Sequence, residues 1–285
     1  MRAGGAGAVI YKTDAGGREI RRRYREVLDG WPVEAEHLRV PAREGETFVL
    51  ACGPRDAPPV LLLHGSGTNA AMWRADIAEW ARHFRVYAVD LIGEPGLSAP
   101  SRPPLGSDAY ASWLDDVLDH LGLARVSVVG ASLGGWLALD YATRRPARVS
   151  RLALLCPGGI DRQKWGWVLP ALLLRPFGRW GLLRSLKVVA GVDHRRSPEI
   201  ADYLALIFMQ FRPRRDRLPV FGDEALRGLT MPVRVIVGGR DAMFDSRETV
   251  DRVRDAIPHA EVTLLPEVAH SIAGQTGAVL AFLRG

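Results

Sequence analysis

The chain has 285 residues, 47% of them hydrophobic and 25% charged, which supplies one large globular core and is too apolar for a disordered chain. Its net charge of +6 is carried almost entirely by arginine spread along the sequence, with small clusters at 21–23 and 212–217. That distribution speaks against a nucleic-acid-binding face, which needs a basic stripe interleaved with aromatics. The two cysteines, Cys52 and Cys156, both sit in apolar surroundings and are expected to be buried free thiols of a reducing compartment, not a disulfide.

In chain order, residues 1–17 are rich in Gly and Ala without a sustained period, and a flexible N-terminus is expected there. The first seven residues lack an apolar core, so no secretory leader is expected and the protein is placed in the cytoplasm. Residues 18–28 read as a short basic helix that stops at Asp29-Gly30, with Pro32 beyond it. Residues 36–40 and Thr47–Cys52 flank the Glu44-Gly45 turn as an edge hairpin.

The pattern then changes to short apolar runs at 60–63, 86–89, 126–129, 152–155, 233–237 and 262–265. Strands apolar on both faces belong to a mostly parallel sheet covered by helices, so an α/β fold is expected. One intervening helix is plain: Tyr110, Trp113, Leu114, Val117, Leu118 and Leu121 form an apolar stripe at helical spacing, with Ser107 to cap it and Asp108 to suit the dipole. Trp113 is therefore core packing. Residues 161–229 break the alternation with three helix-like segments, 165–174, 180–189 and 199–211, and no strand. This stretch is expected to be a helical cap inserted between the core halves 18–160 and 230–285. Its aromatics and leucines exceed what so small an insertion can bury in itself. The longest apolar stretch, near Val168–Leu174, is too short to cross a bilayer. A membrane-surface role for the cap is the lesser expectation, because its helices lack a clean basic face.

The chemistry centres on Gly130-Ala131-Ser132-Leu133-Gly134, a G-x-S-x-G sequence directly after an apolar strand and at the start of a helix. A serine hydroxyl needs a base to take its proton and donors to receive the charge that develops. The strand at 233–237 runs into Gly238-Gly239-Arg240-Asp241, and that at 262–265 into Pro266-Glu267-Val268-Ala269-His270. Both loops lie at the strand ends where ligands bind in open α/β sheets. His270 is thus expected to accept the Ser132 proton, with Asp241 fixing its tautomer. Asp245 is the alternative acid, although it also suits the N-cap of a helix over 247–257. For the oxyanion, the backbone N–H groups of Leu133 and of Ser66, in the loop His64-Gly65-Ser66-Gly67, are the expected donors.

Together, His64-Gly65-Ser66-Gly67, Gly130-Ala131-Ser132-Leu133-Gly134-Gly135, Gly239-Arg240-Asp241 and Ala269-His270 resemble the signature set of the α/β-hydrolase superfamily over residues 33–285. The loop Asp90-Leu91-Ile92-Gly93-Glu94-Pro95-Gly96-Leu97-Ser98 resembles the superfamily's D-x-x-G-x-G-x-S segment with one extra residue. With Trp113-Leu114-Asp115-Asp116-Val117, that departure is similar to bacterial carboxylesterases of the naproxen-esterase type. The resemblance implies an α/β-hydrolase fold with a helical cap and a cofactor-free serine hydrolase. Such an enzyme cleaves small apolar carboxylic esters through an acyl-enzyme on Ser132. A C–C bond hydrolase acting on meta-cleavage products is the alternative, weakened because Ser271 stands where those enzymes often carry Trp after the histidine. Dehalogenase and epoxide-hydrolase chemistry needs an Asp nucleophile, which Ser132 is not. A third possibility is a hydrolase-fold small-molecule binding protein with little turnover, which an apolar lidded pocket suits equally. No metal ligand spacing and no nucleotide-binding loop are present, so a metal and a nucleotide cofactor are not expected.

Overall fold

Strands with no polar face are stable only beneath two layers of helix, and that demand sets the architecture. The computed structural model describes residues 10–285. Its strands are β1 (Ala35–Val40), β2 (Thr47–Cys52), β3 (Pro59–Leu63), β4 (Arg85–Val89), β5 (Val126–Ala131), β6 (Val149–Leu155), β7 (Val233–Gly238) and β8 (Glu261–Leu265). Its helices are α1 (Asp14–Asp29), α2 (Ile77–Trp80), α3 (Ala109–His120), α4 (Leu133–Arg144), α5 (Val168–Leu174), α6 (Gly178–Val189), α7 (Pro198–Gln210), α8 (Asp223–Arg227), α9 (Ser246–Ala256) and α10 (Thr276–Arg284). The sheet order is β1-β2-β4-β3-β5-β6-β7-β8. β2 runs antiparallel to both neighbours and forms the expected edge hairpin with β1, while the pairs from β4 to β8 are parallel.

Alternate residues of each central strand feed opposite cores. Val128 of β5 joins Trp113 and Val117 of α3, Tyr141 of α4 and Val253 of α9 on one face. Its neighbour Val129 joins Tyr24 of α1, Trp80 of α2 and Phe282 of α10 on the other. Each such fully buried apolar side chain contributes about 1.5–3 kcal/mol relative to exposure. β3, β5 and β7 end on the same edge, which collects the loops after all three. Among the described residues no helix is long and apolar enough to cross a membrane.

Two expectations need correction. The flexible N-terminus of 1–17 falls partly on residues 1–9, which lie outside the described residues, and is wrong from Ile10 onward. Ile10 is buried with Ile20, Ile207 and Phe211, Lys12 N–H donates to the Gln210 carbonyl at 2.7 Å, and Thr13 Oγ1 caps α1 by accepting from Gly16 N–H at 3.0 Å. The helix begins at Asp14 and includes Gly16 and Gly17, whose poor propensity hid it. A Cβ at Gly16 would stand 2.3 Å from the Gln210 side chain, so packing on α7 requires the small residue. At α3, Asp108 rather than Ser107 holds the N-cap position and makes no side-chain cap bond. Ser107, one position earlier, still serves the helix start: its hydroxyl accepts the Ala109 N–H at 3.4 Å while donating to the Pro104 carbonyl at 2.7 Å.

Candidate active site

The turn from β5 into α4 forces Ser132 into φ 52°, ψ −110°, a region that costs an L-residue of order 1–3 kcal/mol and persists only where neighbours hold it. Three backbone bonds hold it here. Ser132 N–H donates to the Leu155 carbonyl at 2.9 Å, and the Ser132 carbonyl accepts from Trp136 N–H at 2.9 Å and Gly158 N–H at 3.1 Å. The crossing is tight enough that a Cβ at Gly130 would lie 2.4 Å from the Gly134 carbonyl oxygen, and one at Gly134 2.0 Å from that of Leu63.

The residues expected to act with Ser132 meet it in one hydrogen-bonded row. His270 Nε2 is 2.9 Å from Ser132 Oγ, and His270 Nδ1 is 2.7 Å from Asp241 Oδ2. The other Asp241 oxygen accepts the N–H groups of Met243 at 2.7 Å and Phe244 at 3.2 Å. Burial alone would raise the Asp241 carboxyl. The His270 hydrogen bond, the electrostatic attraction of that side chain and the two backbone donors outweigh burial and hold it below the usual carboxylate range, so it stays ionised. Asp245 is engaged elsewhere: it caps α9 by accepting from Arg247 and Glu248 N–H and pairs with Lys164 at 2.8 Å. The two supporting loops are joined to each other, with Gly239 N–H on the Leu265 carbonyl at 2.8 Å and Arg240 N–H on that of Val268 at 2.9 Å.

Leu133 N–H opens α4 directly after Ser132, where the first-turn N–H groups have no intrahelical partner. Across from it, the loop after β3 brings Gly65 beside Ser132, a Cβ there lying 3.5 Å from the Ser132 Cβ. Ser66 follows in that loop. His64 is wholly buried, donates from Nδ1 to the Gly65 carbonyl at 2.8 Å and accepts Leu91 N–H at Nε2 at 2.9 Å. Burial lowers its pKa to about 4, so it is a neutral structural pin.

Several neighbours of this row escape sequence reasoning. Glu94 lies in the 90–98 loop, which carries one extra residue, and the buried Glu94 carboxylate accepts Gly67 N–H at 2.6 Å and the Ser66 hydroxyl at 3.2 Å. The insertion was the only signal for it. Phe208 of α7 covers Gly67, and the Phe244 ring lies 5.5 Å from the His270 ring. Cys156, at φ 42° the other positive-φ non-glycine residue among the described residues, has its sulfur within 4.8 Å of ligand-type atoms of Asp241 and His270. Burial, then the Asp241 charge, raises its thiol strongly, so it remains protonated. A protonated thiol beside groups already bonded to one another is a packing neighbour, not a ligand set.

Burial raises the Glu94 carboxyl from 4.5 to about 7, against the pull of Gly67 N–H and Arg102. A carboxyl whose folded pKa exceeds its unfolded one costs nothing below the unfolded value. Its cost grows from about pH 4.5 and is complete above about pH 7. Glu94→Gln keeps an acceptor for Gly67 N–H without the charge. The variant is expected to unfold like wild type near pH 4.5 and to be more stable by about 1–3 kcal/mol at pH 8. Denaturant titrations at the two pH values check this, and a pH-independent difference overturns it.

A model of the alpha/beta hydrolase family matches residues 60–281. Among curated proteins, an uncharacterized carboxylesterase, nap, of Bacillus subtilis is 32% identical over 266 residues, covering 87% of this chain and 84% of its own. Carboxylesterase YbfK of the same organism is 31% identical over 273 residues, covering 89% and 88%. The crystal structure of naproxen esterase from B. subtilis superposes with a TM-score of 0.84 at 28% identity, over 96% of this chain and 98% of that one.

Proposed function

The chain belongs to the alpha/beta hydrolase family, and from that membership we propose that it is a serine carboxylesterase acting on small esters with an apolar part. The observation that carries this reading is the unbroken row from Ser132 Oγ through His270 to Asp241, at 2.9 and 2.7 Å, built around a serine at positive φ. In the proposed reaction His270 Nε2 takes the hydroxyl proton as Ser132 Oγ attacks the ester carbonyl. The oxyanion is received by the N–H groups of Leu133 and Ser66. His270 then gives the proton to the departing alkoxide, leaving an acyl-Ser132 ester and a free alcohol. Water, deprotonated by His270, attacks that ester and releases the acid. Asp241 holds the imidazole so that Nε2 faces the serine and stabilises the imidazolium. Glu94 positions the Ser66 donor by fixing Gly67 and the Ser66 hydroxyl.

We assign residues 161–229 as the cap over this centre. Phe208 packs on Gly67, and Ser271 N–H, next to His270, donates to the Ala190 carbonyl at the end of α6 at 3.0 Å. Phe208 and Phe244 give the approach to Ser132 an aromatic lining, which favours an apolar ester group. The test is a series of p-nitrophenyl esters from acetate to decanoate. Turnover with an optimum at a short or medium acyl chain is expected, together with covalent labelling of Ser132 by a fluorophosphonate. A folded protein that neither turns over these esters nor takes the label would overturn the reading.

A further inference from the structure

The cap carries a surface that the chemistry at Ser132 does not use. Leu169, Leu172 and Leu173 recur at i, i+3 and i+4, so they share one face of α5, and Trp165 precedes the helix with the Arg217 guanidinium 5.6 Å over its ring. Phe177 and Trp180 continue that face into α6, with their rings edge-on at 5.8 Å. All six are between 48% and 66% exposed. So dense a group of large apolar side chains on one helical hairpin marks an interaction site, not ordinary surface scatter.

Charge identifies the partner. Residues 161–200 hold eight Arg or Lys against three Asp or Glu, a net +5 within a chain of net +6. Trp180, Arg184, Lys187 and Val188 line the outer face of α6 at helical spacing. Behind them a cavity of about 310 Å³, lined by Trp180, Leu183, Arg184, Lys187 and Arg195 among others, opens toward the α6–α7 connection. Lys187 pairs there with Asp193, whereas Arg184 and Arg195 have no carboxylate partner among the described residues. A second copy of the chain is a poor occupant, because a two-fold contact would press Arg184 and Arg195 of one copy, which lack carboxylate partners among the described residues, toward those of the other. We propose that this face docks on an anionic lipid bilayer, with Trp165, Phe177, Trp180 and the α5 leucines entering the headgroup boundary and the α6 cations meeting lipid phosphates. Aromatic and leucine side chains ringed by arginine are the composition that a bilayer interface selects. No cap helix has a clean basic face by itself, and the two helices divide the labour: α5 supplies the apolar face and α6 the cations.

The inference does not depend on ester hydrolysis, and its test reads binding alone. The full chain is sedimented with vesicles of phosphatidylcholine, and with vesicles of equal parts phosphatidylcholine and phosphatidylglycerol, at low and high salt. Partitioning onto the anionic vesicles is expected, weakened by salt and on the order of tenfold or more poorer on the neutral ones. The triple variant Arg184→Gln, Lys187→Gln, Arg195→Gln is expected to lose on the order of 100-fold in partitioning. Leu169→Gln with Leu173→Gln is expected to lose binding as well. All of these side chains are exposed, and an unchanged thermal midpoint certifies the fold of each variant. Absence of binding at low salt, or equal binding to both vesicle types, overturns the proposal. So does self-association without vesicles that the same variants abolish, which would assign the face to a second copy.

Discussion

Ser132→Ala is expected to lower kcat for a p-nitrophenyl ester by about 10⁴- to 10⁶-fold and to leave the thermal midpoint unchanged. The loss follows from the position of Oγ, whose one hydrogen-bond partner in the row is His270 Nε2 at 2.9 Å. Alanine leaves no atom to attack the carbonyl. Stability should survive because the elbow is held by backbone groups: the bonds to Leu155, Trp136 and Gly158 use the N–H and carbonyl of residue 132 and not its side chain. Alanine is also an L-residue with a Cβ, so it bears the same strain at φ 52° as serine does. Ser132→Gly is a useful companion, since glycine accepts positive φ freely and should match the activity loss while raising the midpoint. A rate near wild type in Ser132→Ala would remove Ser132 from the chemistry, whatever its geometry.

The positions of the strands along the chain and the identity of the nucleophile, acid and histidine candidates were legible because both are local properties. A run such as 126–129 declares a buried strand by composition, and a loop at the end of such a run declares a position at the sheet edge. Ser132, Asp241 and His270 each follow their own strand, so parallel alignment alone gathers them. What stayed hidden depends on contacts between segments that do not announce one another. Glu94 reaches Gly67 across 27 positions, and nothing in the sequence of the 90–98 loop says which way its carboxylate turns. Cys156 closes on Asp241 only because β6 and β7 are neighbours in register. The start of α1 was lost for a related reason: Gly16 and Gly17 weaken the local helix signal, and the packing on Tyr11 and Gln210 that rewards them lies outside the local window. The paired faces of α5 and α6 were illegible because neither helix alone separates apolar from basic residues.

Asp241→Asn is expected to lower kcat by about 10⁴-fold, with Asp245→Asn costing less than about tenfold. Both carboxylates lie in the loop between β7 and α9, and their hydrogen bonds distinguish them. Asp241 divides its oxygens, one accepting Met243 and Phe244 N–H and the other facing His270 Nδ1. Asparagine can keep the backbone pair with its carbonyl oxygen, which places its NH₂ against Nδ1. The imidazole then keeps its proton on Nε2, where it points at Ser132 Oγ as a donor and cannot take the hydroxyl proton. The fold and the distances survive while the direction of proton transfer is blocked, so the variant should still bind ester yet lose kcat. Asp245 instead accepts from Arg247 and Glu248 N–H at the start of α9, a position where asparagine caps nearly as well as aspartate. Its half-exposed pair with Lys164 at 2.8 Å contributes no more than about 1 kcal/mol. Side-by-side kinetics of the two variants check the assignment of the acid: equal losses, or a larger loss in Asp245→Asn, would transfer the role to Asp245.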